Sequence, residues 1–268
     1  MMELYTKDMR MLEYGLAKSY PDIFLFSTTR HGGYSEGNYA SFNCNGYCGD
    51  NEDHVKRNRE LLCSLLPDAD ALIIPHQTHG VTVRVIDEAF IQCDDIQKVD
   101  LLEGVDALVT NLPGQCLCVS TADCIPVLCY DTRHHAVAAI HAGWRGTLGR
   151  IVCHTIQTMR ECYGTKGEDV VACIGPGISL DAFEVGDEVY QAFEQAGFQM
   201  QAISCRKEKW HIDLWEANRL QLISEGVPSS AIELAGICTY SQYEHFFSAR
   251  RLGIHSGRIL SGIMRIKM

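Results

Sequence analysis

Residues 115–146 read QCLCVSTADCIPVLCYDTRHHAVAAIHAGWRG. This stretch contains three apolar runs that have the length and composition of buried strands. They lie near residues 115–120, 127–130 and 136–141. The first run leads into Thr121-Ala-Asp-Cys124, and the third ends at His141. Each segment therefore delivers a thiol or an imidazole at the point where the chain turns out of a sheet.

Further elements extend outward from this stretch in an alternating order. Strands are predicted at 23–29, 71–75, 81–86, 106–110, 170–174, 235–238 and 258–264. Helices are predicted at 52–66, from about 147 onward, at 186–196 and at 213–225, the first with Asn51 as its N-cap. The sequence contains no internal repeat and no flexible linker. The interleaved pattern favours a single mixed domain of strands and helices over residues 1–268.

Composition narrows the classes of partner and compartment. The 268 residues are 46% hydrophobic and 21% charged, with a net charge of -11, values that suit a globular chain. The acidic balance and the absence of a basic block argue against nucleic acid or an anionic membrane as partner. Residues 1–10 carry charges and no apolar core, so no secretory signal is expected. The thirteen cysteines are then expected to be reduced thiols in the cytoplasm.

A third candidate ligand, His79, follows another apolar run, in the segment His76-Gln-Thr-His-Gly80. Two imidazoles and one thiolate make a zinc site with an open fourth position, which is typical of catalytic rather than structural zinc. The same residues also suit a metal-free mechanism, in which Cys124 is a nucleophile and His141 its base. A zinc-stabilised binding module is a third, non-enzymatic hypothesis. Spacing alone does not separate these alternatives.

Two other signals concern anions and copper. Trp144-Arg145-Gly146 leads into the helix predicted near Thr147, and such a helix N-terminus beside an arginine is a candidate anion site. Eleven histidines suggest copper, but a multicopper oxidase needs many imidazoles brought together, and the sequence has no His-x-His element. A single three-ligand site cannot hold clustered coppers.

A series of motifs, in order, resembles one known family. The motifs are Thr28-Thr-Arg-His-Gly-Gly-Tyr-Ser35, Tyr39-Ala-Ser-Phe-Asn43, Asn58-Arg59, Gln77-Thr-His-Gly80, Asp106-Ala-Leu-Val-Thr-Asn111, Thr121-Ala-Asp-Cys124, His141-Ala-Gly-Trp-Arg-Gly146, Ile174-Gly-Pro176 and Phe246-Phe-Ser-Ala-Arg-Arg251. They resemble the laccase-domain family, also called the multicopper polyphenol oxidoreductase or purine nucleoside phosphorylase family. The resemblance runs from about residue 24 to the C-terminus. One departure is Ala249, where the family often has tyrosine.

The resemblance implies an α+β fold with four layers, α/β/β/α, around a sandwich of mixed β-sheets. It implies zinc on His79, Cys124 and His141, with copper as a possible substitute. It also implies phosphorolysis of purine nucleosides: adenosine, inosine, guanosine and methylthioadenosine react with phosphate to give the base and a sugar 1-phosphate. Adenosine deaminase activity is implied as well. Peptidoglycan precursor editing is linked to bacterial relatives.

Residue roles follow from this predicted reaction. Arg59 is expected to position phosphate, and Gln77 and Asn43 are expected to contact the base or the ribose. Asp123 is expected either to carry a proton or to orient its neighbours. Cys124 is the residue on which the hypotheses differ. A cysteine-centred amidase acting on peptidoglycan precursors and a copper-dependent polyphenol oxidase are the alternatives to the phosphorylase.

Overall fold

The computed structural model describes residues 10–267. Residues 1–9, on which the expectation of no secretory signal mainly rests, lie outside the described residues. The strands are β1 Met11–Glu13, β2 Ile23–Thr28, β3 Ala71–Ile73, β4 Val83–Val85, β5 Ala107–Thr110, β6 Gln115–Thr121, β7 Ile125–Asp131, β8 Ala136–Ala142, β9 Val170–Ile174, β10 Glu184–Val185, β11 Ser204–Arg206, β12 Trp210–Ile212, β13 Ile232–Leu234 and β14 Ile259–Arg265. The helices are α1 Glu52–Leu65, α2 Glu88–Gln92, α3 Asp95–Leu101, α4 Trp144–Leu148, α5 Ile151–Tyr163, α6 Asp187–Gln195, α7 Met200–Ile203, α8 Leu214–Ser224 and α9 Ala249–Leu252.

Two of the sheets are mixed. The five-stranded sheet has the order β1-β2-β14-β6-β3, in which β3 runs parallel to β6 and the other pairs are antiparallel. The six-stranded sheet has the order β13-β9-β7-β8-β5-β4, with parallel pairs at both ends. A small antiparallel sheet, β10-β12-β11, completes the set. The predicted class of mixed sheets with helices is confirmed.

Strands β6, β7 and β8 are buried along their whole length. One cluster of buried side chains joins the two large sheets, with Leu117 and Val119 on β6 and Leu128 and Tyr130 on β7. A second cluster packs β7 and β8 against α5 and α8, and a third packs β6 against α1. Because both faces of these strands are covered, their sequences are continuous apolar runs rather than alternating ones.

Helix α1 shows how local sequence sets an element. It begins where the Asn51 side chain accepts hydrogen bonds from the backbone N–H groups of Asp53 and His54, as a predicted N-cap should. Val55 and Leu62 lie on its buried face. No helix within residues 10–267 has the length and apolar character needed to cross a bilayer.

Two predicted elements differ from the structure. The helix expected from about 147 is two helices, α4 and α5, because the chain breaks at Gly149 and at Arg150, whose φ is +61°. The strand expected at 235–238 lies at Ile232–Leu234 instead. Gly236, with φ of +64°, interrupts extended backbone within the predicted range.

Candidate metal centre and its cleft

His79, Cys124 and His141 come together where β7 begins and β8 ends, at the ends of two central strands of the six-stranded sheet. Their ligand atoms all lie within 4.8 Å of one another. The register of the β7–β8 pair explains two of the three positions, because it places Ile125 opposite Ala142 and Pro126 opposite His141. Cys124, one residue before β7, is therefore beside the end of β8. Within residues 10–267 this is the one convergent group of three such side chains.

Asp106 holds the loop of the third ligand, His79, close to His141. This carboxylate, fully buried just before β5, accepts a hydrogen bond from His141 Nδ1 at 2.7 Å. It also accepts the backbone N–H of His79 at 3.0 Å and that of Gly80 at 2.7 Å. The bond to Nδ1 leaves His141 Nε2 as the ring atom available to a metal. One carboxylate therefore sets the orientation of His141 and the position of the His79 loop.

The backbone at the site is held in an uncommon conformation. His79 has φ of +65° and Asp123 has φ of +87°, in the left-handed region that few side chains adopt. Histidine and aspartate tolerate this region better than most residues. Hydrogen bonds to Asp106 hold the turn at His79, which presents the imidazole towards Cys124.

Gly143 leaves room beside the three ligands. A Cβ atom at this position would lie 2.9 Å from His79 Cδ2, 3.0 Å from Cys124 Sγ and 3.7 Å from His141 Cε1. Any side chain would displace the first two groups. A glycine at this point, two imidazoles and one thiol fit a single metal ion of borderline softness, such as zinc.

Electrostatics favour the protonation state that a metal needs at Cys124. Burial alone would raise the pKa of this thiol, but attraction to His141 and hydrogen bonds from His141 and His79 lower its pKa to about 6. Burial alone would lower the pKa of His141, whereas Cys124 and Asp106 raise that pKa to about 9. In the metal-free protein the two side chains therefore form a thiolate–imidazolium pair near neutral pH.

A cleft of about 230 Å³ opens beside this group. His79 and His141 line it together with His76 and Gln77 from the same loop region. The other part of the lining comes from two distant segments and includes Tyr47, Ala249, Ile254 and Arg258. Tyr47 stacks on His76 with ring centroids 4.4 Å apart, and Glu103 binds His76 Nδ1 at 2.8 Å.

Gln77 and Asp123, two of the predicted catalytic residues, lie near the metal group and are occupied by protein contacts. The Gln77 side chain makes two hydrogen bonds with the Ser120 backbone. Its Nε2 donates to the Ser120 carbonyl at 2.9 Å, and its Oε1 accepts from the Ser120 N–H at 2.7 Å. Asp123 accepts a bond from Thr239 Oγ1 and another from the backbone N–H of Arg250, each at 2.7 Å. Both residues thus connect the site to neighbouring segments.

Asn43 and Arg59, two further residues predicted to contact substrate, are held by protein contacts away from the cleft lining. Asn43 is fully buried, and both ends of its amide are bonded, for example to Asp50 at 2.8 Å and to the Arg258 N–H at 3.0 Å. Arg59 donates from Nε to the Cys44 carbonyl at 2.8 Å and lines two other cavities. In this structure Asn43 supports its loop and neither Asn43 nor Arg59 is in the lining of this cleft, so their substrate contacts stay predictions.

The predicted anion site before Thr147 is also corrected. Helix α4 already begins at Trp144, with Gly143 as its N-cap, so the Thr147 N–H is bonded within the helix to the Gly143 carbonyl. The Arg145 guanidinium lies over the Trp144 ring, 4.2 Å from its centroid. The Thr147 N–H and the Arg145 guanidinium therefore both have partners within the protein, and this segment does not need an anion to satisfy them.

Three residues of the site were missed as functional candidates: Asp106, Gly143 and Arg258. Asp106 and Gly143 lie inside the quoted family motifs, and that position was the available signal for both. Arg258 follows a glycine near the C-terminus and offers no local pattern that distinguishes it from other arginines.

Fold and site define an α/β protein with one candidate metal centre beside a cleft. A family model described as "Multi-copper polyphenol oxidoreductase laccase" matches residues 24–266, and the chain belongs to that family. The chain is 58% identical to a "Purine nucleoside phosphorylase" of Bacteroides thetaiotaomicron, over 97% of both chains. It is 44% identical to "Adenosine deaminase RL5" of an unknown prokaryotic organism, over 93% of this chain and 96% of that one.

A solved structure supports the same assignment. The crystal structure of YlmD from Geobacillus stearothermophilus superposes with a TM-score of 0.90 at 30% identity, covering 98% of this chain and 99% of that one. The family predicted from the ordered motifs is confirmed.

Proposed function

We propose that the protein is a zinc-dependent purine nucleoside phosphorylase with adenosine deaminase as a second activity. The observation that carries the proposal is the His79–Cys124–His141 group beside a cleft, in a chain closely similar over nearly its whole length to a phosphorylase. The substrates are purine nucleosides and phosphate; in the deamination, water replaces the amino group at C6 of adenosine and ammonia is released. The thirteen cysteines, all free, support a reducing compartment such as the cytoplasm.

The reaction breaks the bond between the sugar C1′ and the purine nitrogen, and forms a bond from C1′ to a phosphate oxygen. The base leaves with the bonding electron pair and must gain a proton. His76 is the cleft residue suited to supply it, because Glu103 holds its Nδ1 and its Nε2 has no partner among residues 10–267. Asp123 then takes the other role predicted for it, that of orienting its neighbours, because its carboxylate accepts bonds from Thr239 and the Arg250 N–H.

Zinc is proposed rather than copper because two imidazoles and a thiolate suit a borderline-soft ion, and because one three-ligand group does not suit clustered coppers. Held by His79, Cys124 and His141, zinc would supply a Lewis acid with an open coordination position. Asp106 would keep His141 in the tautomer that presents Nε2. The metal content of protein purified without added metal tests this choice.

The activity test uses adenosine with and without phosphate. We expect adenine and ribose 1-phosphate with phosphate, and a slower formation of inosine without it. Both products are resolved by chromatography. Folded, zinc-loaded protein that forms no free base from adenosine, inosine or guanosine would contradict the phosphorylase proposal.

A second candidate, a cysteine-centred amidase, is favoured by one specific arrangement. Cys124, His141 and Asp106 follow one another in hydrogen-bonding order, as a nucleophile, its base and the group that orients the base. The convergence of His79 on the same thiol favours metal binding instead. The test uses metal-free protein and amides of cell-wall precursors. If the protein cleaves these amides, and if covalent modification of Cys124 by an electrophile abolishes the cleavage, the amidase is the better assignment.

A further inference from the structure

The cleft has a different charge from the rest of the molecule. The whole chain has a net charge of -11, yet no aspartate or glutamate is among the described residues that line the cleft; Glu103 and Asp106 lie behind the lining, where they bond Nδ1 of His76 and of His141. The lining instead includes three histidines and one arginine, Arg258. A lining with one permanent cation and no carboxylate attracts an anion even in an acidic protein.

Arg258 is fixed in place without being neutralised. Its Nη1 donates to the carbonyls of Ser256 at 2.6 Å and Gly257 at 3.0 Å, and its Nη2 donates to the Ile254 carbonyl at 3.0 Å. All of these acceptors are uncharged. Within residues 10–267 no carboxylate pairs with Arg258, and its Nε–H and one Nη2–H have no acceptor.

The guanidinium is therefore oriented in advance and retains two donors for a ligand. An arginine with free N–H groups and an uncompensated charge is suited to the oxygens of phosphate, which accept hydrogen bonds from such groups in pairs. The backbone N–H of the same residue bonds Asn43 Oδ1 at 3.0 Å, so the position is also fixed from the loop behind it.

We propose that Arg258 forms the phosphate subsite of this cleft. This inference rests on the proposed function, which requires a phosphate oxygen to bond to the sugar C1′ as the base leaves. Phosphate held by Arg258 and a nucleoside in the same cleft are the two reactants of that step. Arg258 takes the role that the sequence had suggested for Arg59.

The test compares Arg258→Gln and Arg258→Lys with a matched control, Arg265→Gln. Arg265 lies at the other end of β14, about 20 Å along the strand, and also donates to a backbone carbonyl, that of Asn111 at 2.6 Å. Zinc content and thermal unfolding verify that each variant is folded. Phosphorolysis is measured against phosphate concentration, and adenosine deamination is measured without phosphate.

For Arg258→Gln we expect a KM for phosphate that is about 10- to 100-fold higher, with adenosine deamination within about twofold of wild type. Arg258→Lys keeps the charge and should lose less, while Arg265→Gln should behave as wild type. An unchanged phosphate KM in folded Arg258→Gln, or an equal fall in phosphorolysis and deamination, would overturn the assignment.

Direct binding separates this inference from the proposed function. Inorganic phosphate is titrated into the zinc-loaded protein without nucleoside, and AMP is titrated in a second series. Weaker phosphate binding by Arg258→Gln supports the subsite even if the wild type carries out no phosphorolysis. A wild type that binds no phosphate overturns it, and so does a loss confined to AMP, because Arg258 would then recognise the phosphoryl group of a nucleotide.

Discussion

The cleft is bounded by two walls, and they differ in construction. The sheet-side wall consists of residues 76–80, 120–124 and 141–143, which lie at the ends of regular strands and around the buried Asp106 carboxylate. The loop-side wall consists of residues 45–48 and 249–258, which are irregular backbone apart from the four-residue helix α9. The groups that need fixed geometry are on the first wall, and the arginine proposed to hold a substrate is on the second. The two walls thus differ in what fixes their groups: strand ends on the first, and hydrogen bonds within and between loops on the second.

The largest expected effect comes from removing the shared ligand of the sheet-side wall. Cys124→Ala should lose metal during purification and lose turnover by at least about 10³-fold, which corresponds to about 4 kcal/mol of transition-state stabilisation. Metal analysis and the nucleoside assay measure both quantities. Cys162→Ala, at an exposed cysteine on α5, is the control and should retain both. Turnover that survives complete loss of metal would refute a metal-dependent reaction.

The thiolate–imidazolium pair predicts how metal binding depends on pH. Metal binding requires a thiolate and a neutral imidazole, so this pair must release one proton between about pH 6 and pH 9, which are close to the pKa values of Cys124 and His141. Below that window the pair must release two protons, and above it none. Zinc affinity should therefore rise about tenfold per pH unit inside the window.

Competition with a chelating dye at several pH values measures this dependence. Proton release can be followed independently by calorimetry in buffers with different ionisation enthalpies. A zinc affinity that does not change with pH inside the window would show that the metal-free pair is not ionised in this way.

Gly143→Ala probes the space beside the ligands on the sheet-side wall. The new methyl group would lie about 3 Å from both His79 and Cys124, so we expect turnover to fall by about 10²-fold while the protein stays folded. Gly15→Ala is the matched control, because its Cβ would meet Glu233 Oε1 at an ordinary 3.6 Å. Equal activity of the two variants would mean that the ligands tolerate displacement.

The smallest effect is expected where the two walls are joined. Asp123→Asn weakens the bonds to Thr239 and to the Arg250 N–H, so we expect roughly 1–2 kcal/mol of lost stability and a KM raised a few-fold. Zinc content should not change. Thr239→Val removes one of the bonds from the other side, and in a double-mutant cycle the two substitutions should be less than additive. Full additivity would show that the Asp123–Thr239 bond contributes nothing.

The difference between the walls also explains how far the sequence could predict the site. His79, Cys124 and His141 were identifiable because each follows or ends an apolar run that marks a strand, and because all three lie in the ordered family motifs. The carboxylate that aligns them was not identified, since an aspartate before a strand has the same appearance whether it faces solvent or His141. Its role depends on the long-range β5–β8 pairing.

The loop-side wall could not be predicted in the same way. Its position depends on side-chain bonds between distant segments, such as that between Asp123 and Arg250, which leave no periodic pattern in sequence. Arg59, the arginine predicted to position phosphate, binds the Cys44 carbonyl, whereas Arg258 has no local sequence pattern that marks it. The complete burial of Asn43 likewise depends on the tertiary fold and leaves no local pattern in sequence.

The complete burial of β7 and β8 has a consequence for how such a protein diverges. A substitution in either strand disturbs packing on two faces at once. We therefore expect any single substitution that moves the metal ligands to destabilise the fold. The exposed residues of the segment 249–258, such as Ile254, lie outside that core, so a single substitution there should disturb little packing. New substrate preferences should therefore arise by sequence drift in this segment, with the reacting centre inherited unchanged.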